Sequence, residues 1–223
     1  MSKVGIVTDS TACVPRELAG EYGIYIVPVN IIFEGRVYRD EVDITPSQVY
    51  ELLQRSDRLP TTSAPSPGAY LEAYRDLSHR VESILCITLP PELTMVYQSA
   101  MQAKEMAKEA LPHTTIEVID CRTGVGAQGL IALAAVRAAV NGGSFEEVTQ
   151  VVKYMMDRVK LIAVMDTLVY LAKGGRIPKA AAWAGSLLRV KPLLTISEGK
   201  ARLVGAARTK RRGVERLLEI MRD

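Results

Sequence analysis

The chain has 223 residues, of which 48% are hydrophobic but only 5% aromatic, and its formal net charge at pH 7 is +3. This length allows one large domain or two small ones, and the aliphatic composition favours packed α/β layers over an aromatic platform for nucleic acid. The sequence shows no bilayer-spanning run, no signal-peptide pattern and only three scattered cysteines, so we expect a cytoplasmic protein that holds neither a metal nor another cofactor.

The chain begins with alternating apolar and helical segments. The stretch "KVGIVTDS" predicts a buried strand, and the helix after it has Pro15 in its first turn and Gly23 at its end. The run "IYIVPVNIIF" predicts a second strand, after which Thr45 and Pro46 are expected to cap and begin a helix. The loop "PTTSAPSPG", residues 60–68, leads into the helix "PGAYLEAYRDLSHR".

Two further strands, "SILCIT" and "TIEVID", each precede a helix, and Ser144 begins another helix with a capping box. The predicted order is therefore β-α-β-α-α-β-α-β-α-α. Short apolar strands that alternate with helices indicate a parallel sheet covered on both faces. We expect a Rossmann-like α/β domain over residues 1–159.

The pattern changes near residue 160. The segment "LIAVMD" predicts a strand, Gly174 and Gly175 end a helix, and "KAAAWAGSLLRV" is helical. The runs "KPLLTI" and "ARLVGAA" predict a hairpin across the turn "SEGK", followed by a last helix. Residues 160–223 are therefore expected to form a second α/β domain, and so short a segment buries little surface alone, which indicates an incomplete domain.

Positive charge concentrates at the end of the chain. Residues 200–223 carry eight Lys and Arg against three acidic residues, whereas residues 1–199 have a net charge of −2. This pattern fits either the solvated face of a terminal helix or a surface for an anionic partner, such as a membrane, a nucleic acid or an acidic protein.

Polar side chains follow several predicted strands. Asp9 and Ser10 come directly after the first strand, "TLPPELT" follows the third and "DCRTGVG" follows the fourth. Ligands of open parallel sheets bind at the carboxyl ends of the strands, and helix N-termini there favour anions. Each segment alone fits an ordinary helix cap, but their convergence with Thr61, Thr62 and Ser63 favours an anion site.

Catalytic machinery is harder to find. The chain has only two histidines, His79 and His113, and neither lies near the hydroxyl-rich loop. Neither a dinucleotide-binding glycine pattern nor a P-loop is present. Asp9 and Asp120 at strand ends could serve a small-metabolite enzyme as acid and base, or they could accept hydrogen bonds from loop N–H groups. The residues favour binding over turnover.

Seven segments carry a family resemblance, and they run in order over essentially the whole chain: "VTDSTACVP", "VPVNIIFEGRVYRDEVDIT", "PTTSAPSPGAY", "VYQSA", "DTLVYLAKGGRI", "GSLLRVKPLLTISEGK" and "ARTKRRGVERLL". In these segments the chain resembles the DegV family of bacterial fatty-acid-binding proteins. The resemblance implies two α/β domains, with a long-chain fatty acid in an apolar tunnel between them. Family members continue well past the length of this chain, which implies a second domain larger than residues 160–223.

The resemblance also implies a role in phospholipid metabolism. Better-understood members are non-catalytic, acyl-carrying subunits of a fatty acid kinase, and a separate ATP-using subunit phosphorylates the carboxylate. The expected partners of this chain are therefore a long-chain fatty acid and a kinase subunit, with transient contact to a membrane surface. No nucleic acid partner is expected.

Carboxylate ligands are implied residue by residue. Thr62 and Ser63 match the family's Thr-Ser pair, with Thr61 beside them, and Thr62 is the first choice as a donor. Thr94 stands where the family has a serine, and it keeps the hydroxyl. Met95 stands where the family has a glycine, a position that Met fills poorly if the backbone there needs a positive φ.

Two arginines are weaker candidates. Arg176, in "GGRI", matches a family arginine near the domain junction, which implies that it faces either the head group or the kinase partner, and Arg208, in "ARTKRR", is the weaker candidate of the two. Arg176 could equally bind the last carbonyl groups of the preceding helix.

Overall fold

The structure is a computed structural model that describes residues 3–56, 58–175 and 190–222. Arg176 and most of the predicted helix "KAAAWAGSLLRV" lie outside the described residues. The chain divides into two compact units, Met1–Val159 and Lys160–Asp223. No helix among the described residues combines the length and the apolar character needed to cross a bilayer.

The described residues of the first unit form seven strands, six α-helices and a short 3-10 helix at Ser10–Ala12. The strands are β1 (Val4–Asp9), β2 (Tyr25–Val27), β3 (Asn30–Phe33), β4 (Arg36–Arg39), β5 (Thr61–Ser63), β6 (Ser83–Thr88) and β7 (Thr115–Asp120). The helices are α1 (Arg16–Tyr22), α2 (Pro46–Arg55), α3 (Pro67–Ser78), α4 (Val96–Ala110), α5 (Val125–Val140) and α6 (Phe145–Met156). Four strands form a parallel sheet in the order β2-β1-β6-β7.

Helices cover this parallel sheet on both faces. Side chains alternate along each strand, so Ile6 and Leu85 pack with α1, α5 and α6 on one face, while Val7 and Cys86 pack with α3 and α4 on the other. The predicted fold class, a parallel sheet between two helical layers, is confirmed.

The predicted order of elements is wrong between β2 and α3. The apolar run "IYIVPVNIIF" is two strands, because β2 ends at Val27 and β3 begins at Asn30 in a different sheet. The hydroxyl-rich segment expected to be a loop contains β5, which pairs with β3 in the antiparallel sheet β4-β3-β5. Prolines and hydroxyl side chains indicate a turn when only the local sequence is considered. However, β-branched threonines also favour a strand when a segment distant in sequence, here β3, provides the backbone hydrogen bonds.

The predicted helix boundaries are largely confirmed. Thr45 accepts a hydrogen bond from the Gln48 N–H in a capping box, and Pro46 occupies the first turn of α2. Ser144 forms the expected capping box with Glu147 at the start of α6. Helix α1 ends at Gly23, whose φ of 73° favours glycine.

The described residues of the second unit, 160–175 and 190–222, form three strands and two helices: β8 (Leu161–Val164), α7 (Val169–Gly174), β9 (Lys191–Ser197), β10 (Lys200–Ala207) and α8 (Lys210–Arg222). The strands form an antiparallel sheet in the order β10-β9-β8, which confirms the predicted hairpin. Helix α8 packs closely on one face through Gly213, where an added Cβ would lie 2.7 Å from Val164 Cγ1.

The other face of this sheet is entirely aliphatic. Cross-strand partners point to the same side, and the register pairs Leu194 with both Ala163 and Leu203, whereas Val164 points towards α8. The residues of the aliphatic face are Leu161, Ala163, Pro192, Leu194, Ile196, Ala201, Leu203 and Ala206. This surface presents no polar side chain from the three strands.

Close packing of α5 against the segment after β1 depends on Gly129. An added Cβ there would overlap the backbone carbonyl oxygen of Ala12, whereas a Cβ at Gly126 in the same helix would meet nothing within 4 Å. We expect Gly129→Ala to lower the free energy of unfolding by ~1–3 kcal/mol through overpacking. Gly126→Ala is the matched control and should be neutral or stabilising by ~0.5–1 kcal/mol. Urea denaturation measures both, and equal effects would contradict the packing role.

Candidate functional site

The carboxyl ends of β1 and β6 lie side by side at a change in strand order. The chain leaves β1 towards β2 and leaves β6 towards β7, in opposite directions across the sheet. Such switch points leave a crevice beyond the strand ends, where ligands bind in open α/β sheets. Asp9 ends β1 and Thr88 ends β6, so the polar segments that continue from each begin at this crevice.

Asp9 is completely buried at this edge. Its carboxylate accepts hydrogen bonds from the Thr11 N–H at 3.0 Å, from the Thr11 hydroxyl and from Gln128 Nε2 at 2.9 Å. Burial raises the pKa of the Asp9 carboxyl, and the donors from Thr11 and Gln128 oppose that rise. The carboxylate oxygens are therefore occupied by the protein itself.

Gln128 on α5 joins both central strands at this edge. Besides Asp9, its Nε2 lies 3.0 Å from the Thr8 hydroxyl and 3.3 Å from the Ile87 carbonyl oxygen, and Thr8 donates to the same carbonyl at 2.9 Å. The sequence interpretation missed Gln128. The available signal was a single amide side chain within the otherwise small and apolar segment "GAQGLIALAA".

Ser10 and Asp120 also have structural partners. The Ser10 hydroxyl accepts from the Val29 N–H at 3.1 Å, which ties the end of β1 to the start of the antiparallel sheet. Asp120 accepts from the Arg122 N–H at 2.7 Å, and burial raises the pKa of its carboxyl. Because Asp9 has no exposed surface and both aspartates accept loop N–H groups, this geometry does not favour Asp9 and Asp120 as an acid–base pair.

The three hydroxyls of β5 point to different faces. Thr62 pairs with the buried Ile31 and shares its face, whereas Thr61 and Ser63 lie on the other side of the strand. The Ser63 hydroxyl accepts from Asn30 Nδ2 at 3.2 Å. All three β5 residues are exposed, but they do not act as one cluster.

Thr94 lies just before the first turn of α4 and is partly exposed. Met95, which stands at the family's glycine position, has a φ of −82°, so its backbone is unstrained. Met95, the N-cap residue of α4, provides no side-chain cap for the first N–H groups of the helix, and uncapped helix N-termini favour anions.

The segments after β5 and before α4 meet at one apolar cluster. Ala64, directly after Ser63, packs against this cluster, and so do Val96 and Tyr97 at the start of α4. The structure therefore brings the neighbours of Thr62 and Thr94 to a common core, which also contains the buried Tyr70.

Other predicted residues lie elsewhere. Arg208 is exposed after β10, and Arg176 is outside the described residues. A cavity of about 280 Å³ opens near the start of β2, lined by residues that include Arg16, Leu77 and Arg80. None of the predicted carboxylate ligands lines that cavity.

The Asp9 network generates a pH-dependent prediction. Burial raises the pKa of Asp9, so ionising it in the folded state costs stability as the pH rises through that pKa, and Gln128 offsets part of the cost. We expect Gln128→Met to lower the free energy of unfolding by ~2–4 kcal/mol at neutral pH, with a smaller loss in acid.

Urea denaturation between about pH 4 and pH 8 measures this effect. Gln102→Met, on the exposed side of α4, is the control and should change little. A loss from Gln128→Met that is independent of pH would show that its bond to Asp9 contributes nothing.

Comparison with known proteins gives a consistent result. A family model described as DegV matches residues 3–223. A DegV domain-containing protein of Caldanaerobacter subterraneus subsp. tengcongensis is 35% identical over 100% of this chain and 78% of its own length. Protein DegV of Bacillus subtilis is 30% identical over 98% of this chain and 76% of its own length.

Solved structures agree in fold. A DegV family protein of Thermus thermophilus, described for its fatty acid binding, has a TM-score of 0.89 and 31% identity, covering 100% of this chain and 77% of that one. A stearic acid-binding protein of Eubacterium ventriosum has a TM-score of 0.86 and 30% identity, covering 99% and 75%. On the match over residues 3–223 and these relatives, the chain belongs to the DegV family.

Proposed function

We propose that this chain binds a long-chain fatty acid in an apolar tunnel and presents its carboxylate to a separate kinase subunit. The observation that carries the proposal is the similarity, over nearly the whole chain, to DegV proteins described as binding fatty acids. We propose that Thr62 and Thr94 are the main hydrogen-bond donors to the carboxylate, with Thr61 and Ser63 as secondary donors. Asp9 and Ser10 are proposed to hold the carboxyl edge of the parallel sheet in place.

The chemistry of the edge supports this assignment. A carboxylate only accepts hydrogen bonds, so its site needs donors. The proposed donors are the hydroxyls of Thr62 and Thr94 and the uncapped N–H groups of α4. All of these groups stay protonated at neutral pH. These groups can donate hydrogen bonds to a carboxylate without acting as a general base, which suits a carrier better than an enzyme.

The aliphatic face of the β8–β10 sheet supports the acyl part of the proposal. Each methylene that a ligand buries against such a surface contributes ~0.8 kcal/mol. The face carries eight apolar residues over three strands; Pro192 and Leu194 are already buried, and the other six are partly or fully exposed. A long hydrocarbon chain is the ligand class that gains most from this composition.

The kinase role rests on the family resemblance and on the charge of the second unit. Arg208 is exposed and precedes α8, whose first turn carries three further basic residues. We propose that this surface, together with Arg176, attracts the acidic surface of an ATP-using kinase subunit, and that α8 also makes transient contact with an anionic membrane. The carrier contributes no catalytic residue to the phosphorylation.

Fatty acid binding can be tested directly. Purified protein, once denatured, is expected to release a long-chain fatty acid detectable by mass spectrometry. After delipidation, Thr62→Ala and Thr94→Ala should each weaken oleate binding by ~1–3 kcal/mol, because each removes a hydrogen bond to a charged group.

Calorimetric titration measures the affinities. Thr115→Ala, at the opposite end of the parallel sheet, is the matched control and should bind like wild type. Thr61→Ala tests the face assignment and should have a smaller effect than Thr62→Ala. Wild-type protein that neither releases a lipid nor binds oleate would overturn the proposal.

The kinase role gives a separate prediction. With a fatty acid kinase subunit and ATP, we expect oleate-loaded protein to yield acyl phosphate, and Arg208→Glu to slow its formation ~10-fold at low salt, because steering by surface charge is screened by salt. Lys153→Glu makes the same charge change on α6 and should have no effect. An unchanged rate for Arg208→Glu at every salt concentration would exclude Arg208 from the docking surface.

A further inference from the structure

Tyr70 carries a buried hydroxyl without a partner. The residue lies in the first turn of α3 and has no exposed surface, and its hydroxyl makes no hydrogen bond to any described residue. Buried polar groups in native proteins are almost always hydrogen-bonded, so this hydroxyl needs a partner outside the described residues, such as a water or a ligand. A phenylalanine would fill the same space without this cost.

The neighbouring tyrosine shows the usual arrangement. Tyr74 lies one turn later on α3, and its ring centroid is 6.3 Å from that of Tyr70. It is equally buried, but its hydroxyl donates to the Ala100 carbonyl oxygen at 3.3 Å. Two tyrosines in one apolar cluster therefore differ in whether the protein itself satisfies the hydroxyl.

Tyr70 shares its apolar cluster with close sequence neighbours of the proposed carboxylate ligands. Its cluster includes Ala64, which directly follows Ser63, and Val96, which lies two residues after Thr94. Val7 of β1 is also a member, two residues before Asp9. Tyr70 thus belongs to the same cluster as a neighbour of each segment that we assign to the head group.

The chemistry of the hydroxyl suits a carboxylate. Burial, and after it the nearby charges of Asp9 and Cys86, raises the pKa of Tyr70, so the phenol keeps its proton and remains a donor. Gln98 Oε1 is the other buried side-chain atom without a partner among the described residues. A rotation of that amide exchanges its oxygen and nitrogen, whereas the Tyr70 hydroxyl has no such alternative.

We propose that Tyr70 is a further head-group residue, whose hydroxyl donates a hydrogen bond to the bound fatty acid's carboxylate, directly or through one enclosed water. This inference rests on the proposed function. It adds a donor from the interior of the first unit to those on β5 and before α4, and it makes the site selective for acids over uncharged lipids of equal length.

The test compares Tyr70→Phe with Tyr74→Phe in delipidated full-length protein, using oleate and oleyl alcohol as probes. We expect Tyr70→Phe to weaken oleate binding about 10- to 100-fold, the effect of losing a hydrogen bond to a charged group. Its affinity for oleyl alcohol should change less than about threefold, because the alcohol carries no carboxylate. Tyr74→Phe should leave both affinities within the same limit.

Thermal stability of the unliganded variants separates the remaining outcomes. Tyr70→Phe should be at least as stable as wild type, since it removes an unpaired buried hydroxyl, whereas Tyr74→Phe loses a hydrogen bond and should melt lower. Unchanged oleate affinity for Tyr70→Phe would overturn the inference. In that case, a melting temperature below that of wild type would indicate that the hydroxyl binds a purely structural water. A melting temperature above that of wild type would indicate that the hydroxyl has no partner. Wild-type protein that does not bind oleate would instead overturn the proposed function itself.

Discussion

The buried Asp9 carboxylate is the constraint around which the first unit is organised. A carboxylate without solvent contact is costly unless donors surround it, and here Thr11 and Gln128 supply them. Gln128 can reach Asp9, Thr8 and Ile87 only because α5 lies close to the sheet, and Gly129 allows that approach. One side chain thus fixes the relative positions of α5, β1 and β6.

This edge also positions the β5 hydroxyls that we propose as carboxylate donors. The Ser10 hydroxyl accepts a hydrogen bond from the Val29 N–H and so anchors the chain directly before β3. Strand β3 in turn pairs with β5. The hydroxyls of β5 are therefore carried on a strand anchored to the parallel sheet rather than on a free loop. Donors held in place before a ligand arrives lose less entropy on binding, which favours affinity.

The sequence correctly predicted those elements that depend on interactions between residues close together in the chain. The capping boxes at Thr45 and Ser144 and the glycine end of α1 depend on residues within one helical turn, and each was found as expected. The parallel sheet followed from apolar runs that alternate with helices. The antiparallel sheet was missed, because β5 is stabilised by pairing with residues about thirty positions earlier, such as Asn30 with Ser63.

The candidate site residues also divide into those that the sequence could identify and those that depend on tertiary packing. The family motif identified Thr62 and Thr94 as candidates, but only the register of β5 against β3 separates Thr62 from Thr61 and Ser63. The only sequence signal for Gln128 is that it is a single amide in a small and apolar segment, and Tyr70 has none, since a tyrosine in an amphipathic helix is ordinary. What distinguishes them is whether each polar atom finds a partner in the folded chain, and that depends on tertiary packing.

Asp9 and Tyr70 show how the same interior treats two polar groups in opposite ways. The protein saturates Asp9 with its own donors, which keeps a carboxylate from competing for the hydroxyls at the edge. Burial also moves the pKa of Asp9 towards the neutral form, and this reduces repulsion of a second carboxylate nearby. Tyr70, by contrast, is left without an acceptor from the chain. An edge with its own acid satisfied and a donor left open is suited to hold an acid from outside.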